Sequence, residues 1–140
     1  MIDLQAFHGA YPVANIKKAK AFYRDILNCS FGRESSKWVD INFFGHQLVF
    51  HQVENYQHKN YFNPVDDKQV PIPHFGVVLN WEDWEPWVRD LRDKEIKFEI
   101  GPYLRFEGES GEQKTLFFYD PNGYALEFKS FKNIKTLFES

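Results

Sequence analysis

The chain has 140 residues, of which 43% are hydrophobic and 19% aromatic, so it is long enough to bury the core of one domain. Its net charge of −3 includes no basic excess, which excludes nucleic acid as an expected partner. Because the sequence has neither an apolar run of roughly 20 residues nor a basic, apolar leader, we expect a cytoplasmic protein with no membrane partner. The single cysteine, Cys29, excludes an intrachain disulfide and is predicted to be a small buried residue.

The chain is predicted to begin with a strand and an amphipathic helix. The strand covers residues 4–13, and Asn15 is expected to cap a helix from Ile16 to Leu27. Apolar residues recur there at steps of three and four, which is typical of a helix with one buried face. Asn28 is the predicted C-terminal stop.

Two further strands and a polar segment follow. Residues 37–44 alternate in polarity, and a turn at Gly45 leads into a strand over residues 47–53. The first part of the chain therefore reads as strand, helix, strand, strand. The polar segment 54–72 is predicted to be a linker or a loop over a functional site.

The second part of the chain repeats this order. Residues 73–79 are predicted as a strand, and Asn80 is expected to cap a helix that carries its tryptophans on one face. A strand over residues 97–100 precedes a glycine-bearing excursion over residues 103–113, and residues 133–140 are predicted to form a short terminal helix.

Residues 114–131 are predicted to form a hairpin around the turn Asp120–Gly123. In its second strand, alternation places Leu126 and Phe128 on one face and Glu127 on the other. A carboxylate at that position needs a partner, since burying an unpaired charge is costly.

The sequence contains a weak internal repeat. Residues 45–51 align with residues 123–129, with Gly, Leu and Phe at matching places, and His8 and His74 each lie on the first strand of a half. We therefore expect two related halves, about 4–53 and 73–131, within one domain over residues 1–140.

These halves, the histidine on each first strand and the DPNGYALEF hairpin together resemble the vicinal oxygen chelate superfamily of glyoxalases, bleomycin-resistance proteins and dioxygenases. The runs FHGAYPV, VPIPHFGVVL and PYLRFEGESGEQKTLFF are most similar to the superfamily's small extradiol-type dioxygenases. The resemblance implies an α+β fold in which paired βαβββ modules form a cupped, mixed and antiparallel sheet with helices on its outer face.

The resemblance also implies a divalent metal held by His8, His74 and Glu127, with Fe(II) as the expected ion and Mn, Zn or Ni as alternatives. Glyoxalase-type members have a fourth ligand at the place of Val49, which cannot coordinate. The alternative is that both histidines belong to the core and that Glu127 forms a structural ion pair with Lys129.

Four further residues are candidate catalytic or substrate-contacting groups. His51 shares a face with Val49, where it is either an acid or base over the substrate or a rim histidine. Arg105 and Tyr119, with Tyr103 beside them, are candidates for contacts to an anionic substrate, and an ordinary surface role is the alternative for Arg105.

The expected function is an Fe(II)-dependent, ring-cleaving dioxygenase that acts on a small oxygenated, catecholic molecule. The alternatives are a glyoxalase-type metal-dependent isomerase or lyase, and a non-catalytic protein that binds an antibiotic-like molecule. Because large extradiol enzymes carry two such modules, we expect a homodimer in which a second copy completes the pocket. The segments 56–70 and 103–113 are predicted to border that pocket.

Overall fold

The fold is α+β, as a computed structural model of the chain shows, and the structure describes residues 2–140. These residues divide into two compact units, the first ending at Lys59 and the second spanning residues 60–140. Within the described range no helix has the length and apolar character needed to cross a membrane.

The first unit is a four-stranded sheet with one helix. Its elements are β1 (His8–Val13), α1 (Ile16–Asp25), β2 (Ser30–Glu34), β3 (Trp38–Phe43) and β4 (His46–Gln52). The strands lie in the order β1-β4-β3-β2, with β1 parallel to β4 and the other neighbours antiparallel.

Helix α1 forms where its local signals predict. The Asn15 side chain accepts a hydrogen bond from the Lys18 backbone N–H at 2.9 Å, which confirms the expected N-cap. Tyr23 is fully buried on the helix face that packs on the sheet, and its ring lies 5.2 Å from that of Phe50. Helix α1 ends at Asp25, two residues before the predicted end at Leu27, and Asn28 then adopts a φ of +58°, which turns the chain away from the helix.

The second unit contains a larger mixed sheet, one helix and a separate hairpin. Its elements are β5 (Tyr61–Val65), β6 (Lys68–Ile72), β7 (His74–Phe75), β8 (Val78–Leu79), α2 (Trp84–Asp93), β9 (Ile100–Arg105), β10 (Gln113–Tyr119) and β11 (Ala125–Phe131). In the sheet, β11 pairs with β10 on one side and, in parallel, with the short strands β7 and β8 on the other, while β9 pairs with β10.

The core of the second unit lies between α2 and one face of this sheet. Leu126 and Phe128 are completely buried, as the alternation of the hairpin predicts. The Phe128 ring stacks on Phe118 at 5.7 Å and meets Trp87 at 4.4 Å. Glu127 therefore points to the opposite face of the sheet, away from the helix.

The internal repeat has a structural counterpart. His8 is paired with Gln47 across the parallel strands β1 and β4, and His74 is paired with Ala125 across β7 and β11. These registers match the alignment of Gly45 with Gly123, so Val49 in the first unit stands where Glu127 stands in the second.

Several elements differ from the sequence-based expectation. The segment predicted as a linker or loop contains the β5–β6 hairpin, and strand β2 was not predicted. A 3₁₀ turn over Trp81–Asp83 separates Asn80 from α2, and the Asn80 side chain makes no capping hydrogen bond, so that predicted cap is wrong. The terminal helix is reduced to one 3₁₀ turn, Ile134–Thr136, and the strand expected at 97–100 begins only at Ile100.

The strand predicted over residues 73–79 is interrupted at Gly76. A Cβ atom placed there would lie 1.5 Å from the Glu127 carbonyl oxygen, so the backbones approach too closely for any side chain. This contact holds the His74 strand tightly against the strand that carries Glu127.

Candidate metal centre

Two of the expected metal ligands meet in the second unit. The Nε2 atom of His74 lies 3.0 Å from the Oε1 atom of Glu127, and their side chains are 30% and 11% exposed. Phe117, opposite Glu127 on β10, packs edge-on against the imidazole with ring centroids 5.1 Å apart. The pair is therefore shielded by an aromatic wall on one side and stays accessible on the other.

The hydrogen bonds of His74 determine which of its nitrogens can bind a cation. Its Nδ1 atom lies 2.7 Å from the Pro71 carbonyl oxygen, which can only accept, so Nδ1 carries a proton. In the neutral imidazole Nε2 is then an acceptor, and it faces a carboxylate oxygen that is also an acceptor. A proton carried by either group, or a cation, must therefore lie between these two atoms.

The donor set fits a divalent metal. A ligand histidine usually donates its other N–H to a carbonyl or carboxylate, as His74 does to Pro71. Two neighbouring ligand atoms that each lie about 2.1 Å from one metal ion are about 3 Å apart, and the distance from His74 Nε2 to Glu127 Oε1 is 3.0 Å. Nitrogen and oxygen ligands of this kind suit Zn, Mn, Fe and Ni ions.

Glu127 is held in place through its second oxygen. The Thr115 hydroxyl donates to Oε2 at 2.6 Å, and the Lys129 ammonium lies 3.8 Å from the same atom. Burial raises the pKa of Glu127, but the hydrogen bonds from His74 and Thr115 and the nearby Lys129 charge outweigh it, so its pKa lies below the ordinary value. Glu127 is therefore an ionised carboxylate, as a metal ligand must be.

The pKa of His74 is raised above its ordinary value. The main cause is its hydrogen bond to Glu127, which outweighs the effect of burial. The alternative in which Glu127 is simply the ion-pair partner of Lys129 accounts for the longer contact of 3.8 Å only. The shorter contact is to His74.

A second polar cluster lies on β9, beside this pair. Tyr103 is the cross-strand neighbour of Thr115, and its hydroxyl donates to Asp66 Oδ2 at 3.0 Å. Arg105 donates from Nε to the same Asp66 oxygen at 2.5 Å. Burial and the Asp66 hydrogen bond raise the pKa of Tyr103 to about 12, so it remains a donor near neutral pH. Arg105 is thus an ion-paired residue with a side chain only 19% exposed, rather than a free surface cation.

The remaining predicted residues are placed as follows. His8 and His51 belong to the first unit, where both are exposed, and the register of β1 with β4 puts them on the same face of the sheet as Val49. Among residues 2–140 no group of three or more His, Cys, Asp or Glu side chains forms a ready metal site. The three-ligand set thus stays a prediction.

Tyr119 lies on β10 opposite Ala125, at the turn end of the strand. Burial and the neighbouring Glu99 charge raise its pKa. Its role as a substrate contact stays a prediction.

Thr115 and Asp66 were not anticipated from the sequence. Counting back across the predicted hairpin would have paired Thr115 with Lys129 and so placed its hydroxyl on the face of Glu127. Asp66 gave no comparable signal, because the strands around it were expected to be irregular.

Comparison with known proteins identifies relatives along most of the chain. The family model of the Glyoxalase/Bleomycin resistance protein/Dioxygenase superfamily matches residues 5–128. Metallothiol transferase FosB of Staphylococcus haemolyticus is 27% identical over 120 residues, which is 86% of this chain and 78% of the relative. FosB of Staphylococcus epidermidis is 26% identical over the same shares of the two chains.

Solved structures agree. A glyoxalase/bleomycin resistance protein/dioxygenase from Alicyclobacillus acidocaldarius has a TM-score of 0.78 and 27% identity, covering 95% of this chain and 96% of its own. The fosfomycin resistance protein FosX from Listeria monocytogenes has a TM-score of 0.67 at 15% identity, covering 97% and 98%, and shows a likeness of fold alone. The expected resemblance is confirmed, and the chain belongs to the glyoxalase/bleomycin resistance protein/dioxygenase superfamily.

Proposed function

We propose that the chain is a metal-dependent transferase that joins a low-molecular-weight thiol to a small, oxygen-bearing anionic molecule. The observation that carries this proposal is the His74 Nε2 to Glu127 Oε1 contact of 3.0 Å, with Nδ1 of the same ring committed to the Pro71 carbonyl. The proposed chemistry draws on relatives that are metallothiol transferases, together with the fold that the chain shares with a fosfomycin resistance protein.

The Fe(II) ring-cleaving dioxygenase expected from the sequence finds no support among the curated relatives. These relatives agree better with the two alternatives, a glyoxalase-type metal-dependent enzyme and a protein that acts on an antibiotic-like molecule. Both readings use the same ligand-bearing strands, so the change concerns the reaction and the ion rather than the site. A divalent ion remains part of the proposal, with Zn, Mn and Ni ranked beside Fe(II).

We place the metal on His8, His74 and Glu127. His74 and Glu127 are already in contact, whereas His8 lies on an exposed sheet face of the first unit. Because the His8 side chain is exposed, His8 of a second copy is proposed to complete the set in a homodimer.

Other side chains of the second unit are proposed to orient the metal ligand and to bind the substrate. A bound divalent ion would supply Lewis-acid polarisation of a substrate oxygen. Thr115 orients Glu127, Lys129 adds positive charge beside it, and Arg105 and Tyr103 offer donors to an anionic group of the substrate. In the transfer, the thiol sulfur forms a bond to carbon, the carbon–oxygen bond breaks, and the thiol proton ends on the released oxygen.

The test is metal content together with thiol transfer to fosfomycin, the compound to which FosX confers resistance. Wild-type protein should bind a divalent metal and consume thiol in step with fosfomycin. Glu127→Ala should lose both properties, whereas Glu85→Ala, which removes an exposed carboxylate of α2, should keep both. Unchanged metal content in Glu127→Ala would overturn the proposal. Oxygen uptake with catechols, without thiol transfer, would support the dioxygenase function instead.

A mixing experiment tests the contribution of the second copy. His8→Ala and Glu127→Ala homodimers should each lack tight metal sites. After the two variants are unfolded and refolded together, mixed dimers should regain one intact site, built from His8 of one copy and Glu127 of the other. Absence of any recovery would contradict the shared site.

A further inference from the structure

The β5–β6 hairpin stands apart from the larger sheet of the second unit. It forms a two-stranded sheet of its own, and in the described residues neither strand pairs with the larger sheet. At its base, the Pro71 carbonyl meets His74, and Asn60, just before β5, donates to the Gly123 carbonyl at 3.0 Å. An isolated two-stranded hairpin is only marginally stable in water, so its other contacts decide where it rests.

The tip of the hairpin contacts β9 through the Asp66 carboxylate. Asp66 and Asp67 form the two-residue turn, with φ values of +52° and +61°, the left-handed conformation that a tight hairpin turn requires. The Asp66 Oδ2 atom accepts from both Arg105 and Tyr103. Lys68, the next residue after the turn, also contacts β9, with its ammonium 4.1 Å from the centre of the Tyr103 ring.

Arg105 and Tyr103 form a site of the kind that binds a small oxyanion. A guanidinium N–H and a phenolic O–H converge on one negatively charged oxygen. The guanidinium is also stacked over the Phe106 ring at 4.8 Å, which limits its movement. What occupies this site is a side chain of the protein itself, held at the tip of the hairpin.

The position of this site connects it with the candidate metal centre. Tyr103 neighbours Thr115 across β9 and β10, and Thr115 donates directly to Glu127. Neighbouring side chains across an antiparallel pair lie about 5 Å apart at Cβ. Tyr103 and Arg105 lie on β9, and β10 separates them from Glu127 on β11, so an anionic group that they hold would lie two strands from Glu127 on the same face of the sheet.

We propose that Arg105 and Tyr103 form an oxyanion subsite, and that Asp66 is its internal competitor, which keeps the hairpin tip in place until an external phosphate- or phosphonate-like group displaces it. The inference rests on the proposed function only in naming the substrate's anionic group as the natural occupant. Binding of the anion and release of the hairpin tip are one event, because both carboxylate and oxyanion need the same donors. Asp66 is thereby a specificity-determining residue, since an uncharged molecule cannot compete with it.

The experiment measures the binding of inorganic phosphate to chelator-treated, full-length protein by calorimetry, so that its outcome does not depend on the metal. Asp66→Ala should bind phosphate about tenfold more tightly than wild type, because a competing charge-assisted contact is removed. Asp67→Ala, which changes the adjacent turn residue, should bind as wild type does. The gain should disappear in Asp66→Ala/Arg105→Ala.

A second measurement follows the hairpin itself. Saturating phosphate should speed amide hydrogen exchange in residues 61–72 of wild type, and exchange in Asp66→Ala should already be fast without it. Asp66→Asn keeps a hydrogen-bond acceptor without the charge, and it should also bind phosphate more tightly than wild type. This variant replaces Asp66→Ala in the test if the alanine variant folds poorly. Phosphate affinity equal in wild type, Asp66→Asn and Asp67→Ala, or a gain that persists without Arg105, would overturn the proposal. That result with intact metal binding would leave the proposed function standing.

Discussion

Thr115 offers a test of how the second unit holds Glu127. Its hydroxyl donates to Oε2 at 2.6 Å, and the residue is 1% exposed, so no water can replace the donor without rearrangement. Thr115→Val keeps the shape of the side chain and removes only this hydrogen bond. A hydrogen bond to a charged group contributes about 1.5–3 kcal/mol, and losing a group that supports a metal ligand typically costs about 10–100-fold in metal affinity. We expect the metal affinity of Thr115→Val to fall within that range.

The assay is a competition titration of Zn and Mn against a chromophoric chelator, with the free energy of unfolding measured in parallel by urea. Thr115→Ser retains the hydroxyl and should bind both metals nearly as wild type does. The reasoning would be refuted by wild-type affinity in Thr115→Val, or by equal losses in the valine and serine variants. Equal losses would mean that packing of the methyl group, and not the donor, controls Glu127.

The other predictions concern the frame that carries the site. Phe128→Ala should lower the free energy of unfolding, measured by urea titration, by about 3–5 kcal/mol, because the ring is fully buried against Phe118 and Trp87. As a control, Phe138→Ala, at a position 93% exposed, should change it by less than about 0.5 kcal/mol. Asn15→Ala should cost about 1 kcal/mol through loss of the α1 cap, and an unchanged urea midpoint would contradict that role. Burial raises the pKa of Cys29 to about 11, so its thiol should resist alkylation near pH 8.5 in the native state and react at once in urea; equal rates in both states would be inconsistent with the structure.

The fold could be predicted where local chemistry and burial agree. The cap at Asn15, the stop at Asn28 and the buried face of β11 follow from residues whose conformational preferences are strong. Short strands were harder, because β7 and β8 have two residues each and are defined by their partner β11 rather than by their own pattern. The β5–β6 hairpin was missed because polar residues and two prolines outweighed its alternation.

The candidate site was predictable only in part, and for a different reason. Spacing within one strand cannot show that His74 meets Glu127, since the contact depends on the register of β7 against β11 and on the close approach at Gly76. The resemblance to a family supplied those ligands. It also favoured a dioxygenase, because the motifs that determine the fold are shared by members with different reactions. The contact of Asp66 with Arg105 joins residues 39 positions apart, and no sequence pattern announces it.

The most direct test of the account is a crystal structure of the metal-loaded protein with anomalous scattering recorded at the absorption edge of the added ion. The account predicts one ion per chain, within about 2.0–2.3 Å of His74 Nε2 and a Glu127 oxygen, with the His8 imidazole of a second copy as the third protein ligand. An ion bound elsewhere, or a protein that stays metal-free while His74 and Glu127 keep their direct contact, would contradict it.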